Sequence, residues 1–124
     1  MTKIQDITDP YVAGDYLDLV VTVLDKDGET VDISNVGSIR YGVMKTDSAG
    51  GPSGPPVILK TLIDGVALTD AANGVFTVTL DSGDTDLLRG TYYHEAEIID
   101  ENDNVSTIFI GQFYVKAQGL LPVA

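Results

Sequence analysis

No cysteine occurs in the 124 residues. That excludes disulfides, zinc–thiolate sites and cysteine nucleophiles, and it fits a chain folded in a reducing cytoplasm. Tryptophan is missing as well, and His94 is the single histidine. Acid–base or nucleophilic chemistry needs a reactive group with a positioned partner, so this composition points away from an enzyme. Cations are scarce: 7 Lys and Arg stand against 19 Asp and Glu, a formal net charge of −12. The basic residues (Lys3, Lys26, Arg40, Lys45, Lys60, Arg89 and Lys116) are scattered. Nucleic acids and anionic membranes both require clustered positive charge, so neither is an expected partner. No apolar run approaches the ~20 residues of a spanning helix. The opening "MTKIQDITDP" carries no apolar stretch of signal-peptide type.

A hydrophobic content of 44% is enough for a core. The length suits one domain over 1–124. The apolar period is 2 rather than 3.6, which predicts strands. In "YLDLVVTVLD", Leu17, Leu19, Val21 and Val23 form one apolar face; in "VFTVTL", Phe76, Val78 and Leu80 do so. "SIRYGVM", "VILKTLI" and "VSTIFIGQFYVKA" are further β-rich runs, and Gly111 inside the last predicts a bulge or a close backbone approach. Turns separate these runs: "DKDGE" with Asp27-Gly28, "IDG", "DAANG" with Asn73-Gly74, and "DENDN". "SGDTDLL" is predicted to form a single helical turn capped by Ser82 or Asp84. The stretch 46–56, with three Gly and three Pro, reads as a flexible loop. Residues 1–13 read as a short N-terminal arm, and 118–124 as an apolar C-terminal tail carrying Leu120, Leu121 and Val123. About seven short strands with short connections predict an all-β, immunoglobulin-like antiparallel β-sandwich.

"LLRGTYYHEAEIID" places His94 beside Glu95 and Glu97. In a strand, however, Tyr92, His94, Ala96 and Ile98 share one face, and Tyr93, Glu95, Glu97 and Ile99 the other. The histidine therefore needs a partner from another strand, and a satisfied histidine near the core is expected. The Gly90-Thr91-Tyr92 spacing at the start of that run predicts a tyrosine corner, in which the tyrosine hydroxyl bonds backbone just upstream. Asp25, Asp27 and Glu29 superficially resemble a calcium loop, but Gly28 comes too early for that pattern and the chelating glutamate is missing. Acidic turns gathered at one end could still pool ligands; hairpin chemistry accounts for the same residues. No phosphate-binding loop and no nucleophile elbow occur. No catalytic, cofactor-binding or metal-binding residue is assigned, and no cofactor is expected.

Several stretches together resemble the small immunoglobulin-like β-sandwich virion proteins of tailed bacteriophages, in particular the N-terminal domain family of phage baseplate upper proteins. They are the Gly14-Asp15 opening, "DKDGETVDI", "DAANG", "DTDLLRGTY" and the closing "GQFYV", spread over residues 14–115. The resemblance implies a non-enzymatic structural protein, made in the host cytoplasm and located in the virion. Its implied partners are other virion proteins (capsid, neck or tail subunits), bound as a homo-oligomer or in many copies. A baseplate upper protein continues into a long further region, whereas this sequence stops at Ala124. A capsid decoration or head–tail (neck) accessory role is therefore expected ahead of a tail or baseplate component. The reading from another class is a carbohydrate- or cell-surface-binding module, with Tyr11, Tyr16, Tyr93 or Tyr114 as stacking faces.

Overall fold

The computed structural model describes residues 3–4, 7–62 and 64–116. Nine strands are found among them: β1 (Lys3–Ile4), β2 (Ile7–Val12), β3 (Leu17–Thr22), β4 (Ser38–Thr46), β5 (Pro52–Leu62), β6 (Gly65–Asp70), β7 (Val75–Leu80), β8 (Gly90–Ile99) and β9 (Val105–Lys116). One helical turn, α1 (Ser82–Thr85), lies between β7 and β8. The protein is all-β.

The pairing path runs β9-β8-β4-β5-β6-β7-β3, seven strands that curl into a two-layered immunoglobulin-like sandwich. The front layer is β9-β8-β4-β5, and the back layer is β6-β7-β3. The curl occurs between β5 and β6, which are joined by only two parallel pairs, Thr61↔Gly65 and Leu62↔Val66. The long ladders are antiparallel. The strand alternation decides which side chains enter the space between layers. Phe76, Val78 and Leu80 of β7 are fully buried, as are Ile39, Tyr41 and Val43 of β4. Val21 and Val23 approach from the β3 side, and Phe109, Phe113 and Val115 from β9. Leu17 and Leu19 pack against this cluster, so the apolar face read from the sequence is the face that the fold covers.

Three segments differ from their sequence reading. The N-terminal segment expected as an arm contributes β1 and β2, both laid parallel on β9. The Gly/Pro-rich stretch 46–56 is mostly strand: β4 reaches Thr46 and β5 begins at Pro52. Pro52, Pro55 and Pro56 are tolerated because this half of β5 pairs with β4 alone and leaves one edge without ladder donors to satisfy. What remains of the loop is a tight turn. Asp47 Oδ1 accepts the backbone N–H groups of Ala49 and Gly51, each at 2.9 Å. In α1 the cap is Asp81, one residue before Ser82, and Asp84 reaches back to accept the Asp81 N–H at 2.9 Å. The tail 118–124 lies outside the described residues.

The bulge on β9 is displaced too. It falls between the pairs Ala96↔Phe109 and Glu97↔Thr107, leaving Ile108 as the extra residue. Gly111 instead pairs in register with His94 and faces inward. The imidazole of the cross-strand partner His94 stands near the rings of Phe109 and Phe113, the inward-facing residues on either side of Gly111.

Candidate interaction surface

His94 is fully buried, and its Nδ1 lies 2.9 Å from the Tyr41 hydroxyl on the neighbouring strand β4. The Phe109 and Phe113 rings stand with centroids 5.1 and 5.6 Å from the imidazole, and Tyr41 meets it edge-on. Every buried side-chain nitrogen and oxygen among the described residues is hydrogen-bonded. The partner does come from another strand, and the site is closed to solvent. A substrate cannot reach this pair without unpacking the core, so its chemistry is that of a satisfied buried polar group.

Glu95 and Glu97 emerge on the outer face of the front layer. Arg40 on β4 pairs across the ladder with Glu97 and hydrogen-bonds its carboxylate. Partial burial and the nearby Glu97 charge push the Glu95 carboxyl up, against an opposing pull from Arg40. Partial burial and Glu95 in turn push up the Tyr93 phenol. Beside these polar groups the same face is apolar. Gly42 leaves a gap between Leu59 and Glu95 in the ladder, and the Met44 sulfur lies over it, 3.2 Å from where a Cβ would stand. Val57, Leu59 and Tyr114 are exposed on the strands flanking this centre. Strand alternation places the glutamates on the face opposite His94 but does not by itself pick out the apolar residues on the neighbouring strands. Their signal was available in the second set of alternating positions on β5 and β9.

Two of the acidic turns, 25–29 and 100–104, lie at one end of the sandwich, and the third, 81–86, follows β7 at the other end. Ile33 N–H bonds the Ala71 carbonyl at 2.9 Å and Gly37 N–H the Ile99 carbonyl at 2.8 Å, so the turns at 25–29, 70–74 and 100–104 share the first of these ends. A shallow groove there is lined by Asp32, Asn35, Val36, Asp100 and Glu101. Asp25 Oδ1 accepts from Asp27 and Glu29, and Asp100 Oδ1 from Asn102 and Asn104. Those backbone donors hold the Asp100 carboxyl below its usual range, and the hydroxyl and N–H of Ser34 do the same for Asp32. The carboxylates are thus turned toward their own loops, and no group of three or more ligating side chains forms a metal cage among the described residues.

At the other end, Gly90 takes φ 95° and the Tyr92 hydroxyl accepts the Arg89 N–H at 3.1 Å, the geometry of a tyrosine corner. Tyr92→Phe is expected to lower stability by about 0.5–1.5 kcal/mol, the net worth of one such bond. Urea denaturation with an unchanged slope checks this, and an unchanged midpoint would mean the corner contributes nothing. Nearby, Lys60 reaches from β5 to Asp84 of α1, with Nζ–Oδ2 at 2.9 Å. Burial alone would raise the Asp84 carboxyl; the Lys60 ammonium and the Asp81 N–H outweigh it and bring it down. Of the tyrosines considered for stacking, Tyr16 and Tyr114 are exposed and Tyr93 is half-buried. Tyr16 precedes back-layer strand β3 whereas Tyr93 and Tyr114 belong to the front layer; the side chain of Tyr11 lies outside the described residues.

No family model matches the chain, and no curated protein matches it. Among solved structures, the crystal structure of CopC from Methylosinus trichosporium OB3b aligns with 13% identity and a TM-score of 0.38, over 86% of this chain and 100% of that one.

Proposed function

We propose that this protein is a non-enzymatic structural component of a tailed-bacteriophage virion, a capsid decoration or head–tail accessory protein that binds other virion proteins. The sequence resemblance over residues 14–115 supplies the virion context. The observation that carries the binding role is the outer face of the front layer, where the exposed Val57, Leu59 and Tyr114 lie on the strands flanking β4 and β8, with the Arg40–Glu97 pair toward one end of the same face. An apolar centre with a satisfied polar pair beside it is the composition of a protein interface. The single histidine is consumed in core packing, which agrees with a role that needs no reactive group. Binding would bury this face and leave the acidic end in solvent, where its charge opposes non-specific association.

The test is mass spectrometry of particles purified from the phage whose genome encodes the chain. The protein is expected in fixed stoichiometry to the major capsid or tail subunit, and its absence from intact particles would refute the reading. Leu59→Asp should reduce incorporation while leaving the isolated domain folded, because that side chain is 54% exposed.

A further inference from the structure

Leu87 is the most exposed large hydrophobic side chain among the described residues, at 88%, and Tyr16 follows at 64%. Both stand at the end of the sandwich where β9 finishes. The Lys116 carbonyl accepts the Ala13 N–H at 2.9 Å. The next residue, Gly14, donates to the buried Thr85 hydroxyl at 3.0 Å. Leu87 lies two residues beyond Thr85, and Tyr16 two beyond Gly14, so the chain leaves β9 beside the segments that carry both exposed side chains. Residues 117–124 follow, "AQGLLPVA", with three large apolar side chains and no charged one.

We propose that the C-terminal tail of the same chain docks on this end of the domain, with Leu120, Leu121 and Val123 covering Leu87 and Tyr16. Eight residues reach up to about 26 Å when extended at ~3.3 Å each, ample for neighbouring segments. Starting beside the patch gives the tail a high effective concentration that no separate partner shares. Asp15 and Asp86 flank the exposed side chains, and an uncharged segment meets them without the repulsion that a second copy, with its net charge of −12, would bring. Pro122 restricts the unbound tail and lowers the entropy lost on docking. This inference does not depend on the virion reading.

The absence of cysteine provides the probe. Leu87→Cys places a single thiol in the patch, small and apolar enough to keep the contact. Its labelling rate by a maleimide is compared in the full-length chain with and without Leu120→Ser, Leu121→Ser and Val123→Ser. The intact tail is expected to slow labelling about tenfold, the factor that ~1.4 kcal/mol of docking gives. The ratio should be independent of protein concentration. Val105→Cys, at the far end of β9, should label equally in both backgrounds. Equal rates at position 87 overturn the proposal, as does protection that appears only when protein concentration is raised, which would assign the patch to a second copy.

Discussion

His94→Ala is expected to destabilise the domain by about 3–5 kcal/mol, the range of large-to-small core substitutions with an added polar penalty. Two losses combine. The imidazole stands near the rings of Phe109 and Phe113, and the surrounding strands are held in long ladders that restrict collapse into the void. The Tyr41 hydroxyl also loses its Nδ1 partner in a fully buried position. Urea unfolding measures the sum. A Tyr41→Phe/His94→Ala cycle then isolates the hydrogen bond, since the two side chains are in contact and their effects should not add. A loss under ~1 kcal/mol for His94→Ala would mean that the core repacks freely around residue 94. The result also separates packing from chemistry: a residue of this kind changes abundance and melting, not a rate.

The strands were legible because burial follows a period of 2 wherever one face is covered. Phe76-Val78-Leu80 and Tyr92-His94-Ala96-Ile98 needed no tertiary information. The tyrosine corner was legible for a similar reason: the positive φ of Gly90 and the reach of Tyr92 back to Arg89 are local. What stayed hidden depends on pairing. The prolines of β5 read as loop because their acceptability is a property of the edge they occupy, not of the residues themselves. Asp47 was concealed within that reading. Yet its loop repeats a pattern found twice more: the aspartate at position 1 accepts from positions 3 and 5, and position 4 takes positive φ, at Asp25, Asp47 and Asp100. Position 4 is Gly28, Gly50 and, without the glycine cue, Asp103 at φ 64°. The apolar front face was missed because outward-facing strand positions are individually unremarkable in a sequence. Only the lateral alignment of Leu59, Gly42 and Glu95 brings them onto one surface.

Gly74→Ala carries the other large expected effect, a loss of about 3 kcal/mol, combining left-handed strain of ~1–2 kcal/mol with a backbone clash. Gly74 has φ 77°, and a Cβ there would stand 2.6 Å from the Val31 carbonyl oxygen and 3.0 Å from that of Val23. Neither neighbour can swing aside as a side chain would. The Val23 carbonyl accepts the Val31 N–H at 3.1 Å, and the Gly74 carbonyl accepts the Val23 N–H at 2.8 Å, so the contact locks the end of β3 to the start of β7. Gly28→Ala is the control. It has φ 81° but no atom within 4 Å of its Cβ position, so it should lose only the strain contribution, ~1–2 kcal/mol. The difference between the two urea midpoints, converted with a common slope, measures the clash. Equal losses would show that the junction of Val23, Val31 and Gly74 yields to a methyl group, and that the acidic end of the sandwich is held less tightly than its hydrogen bonds indicate.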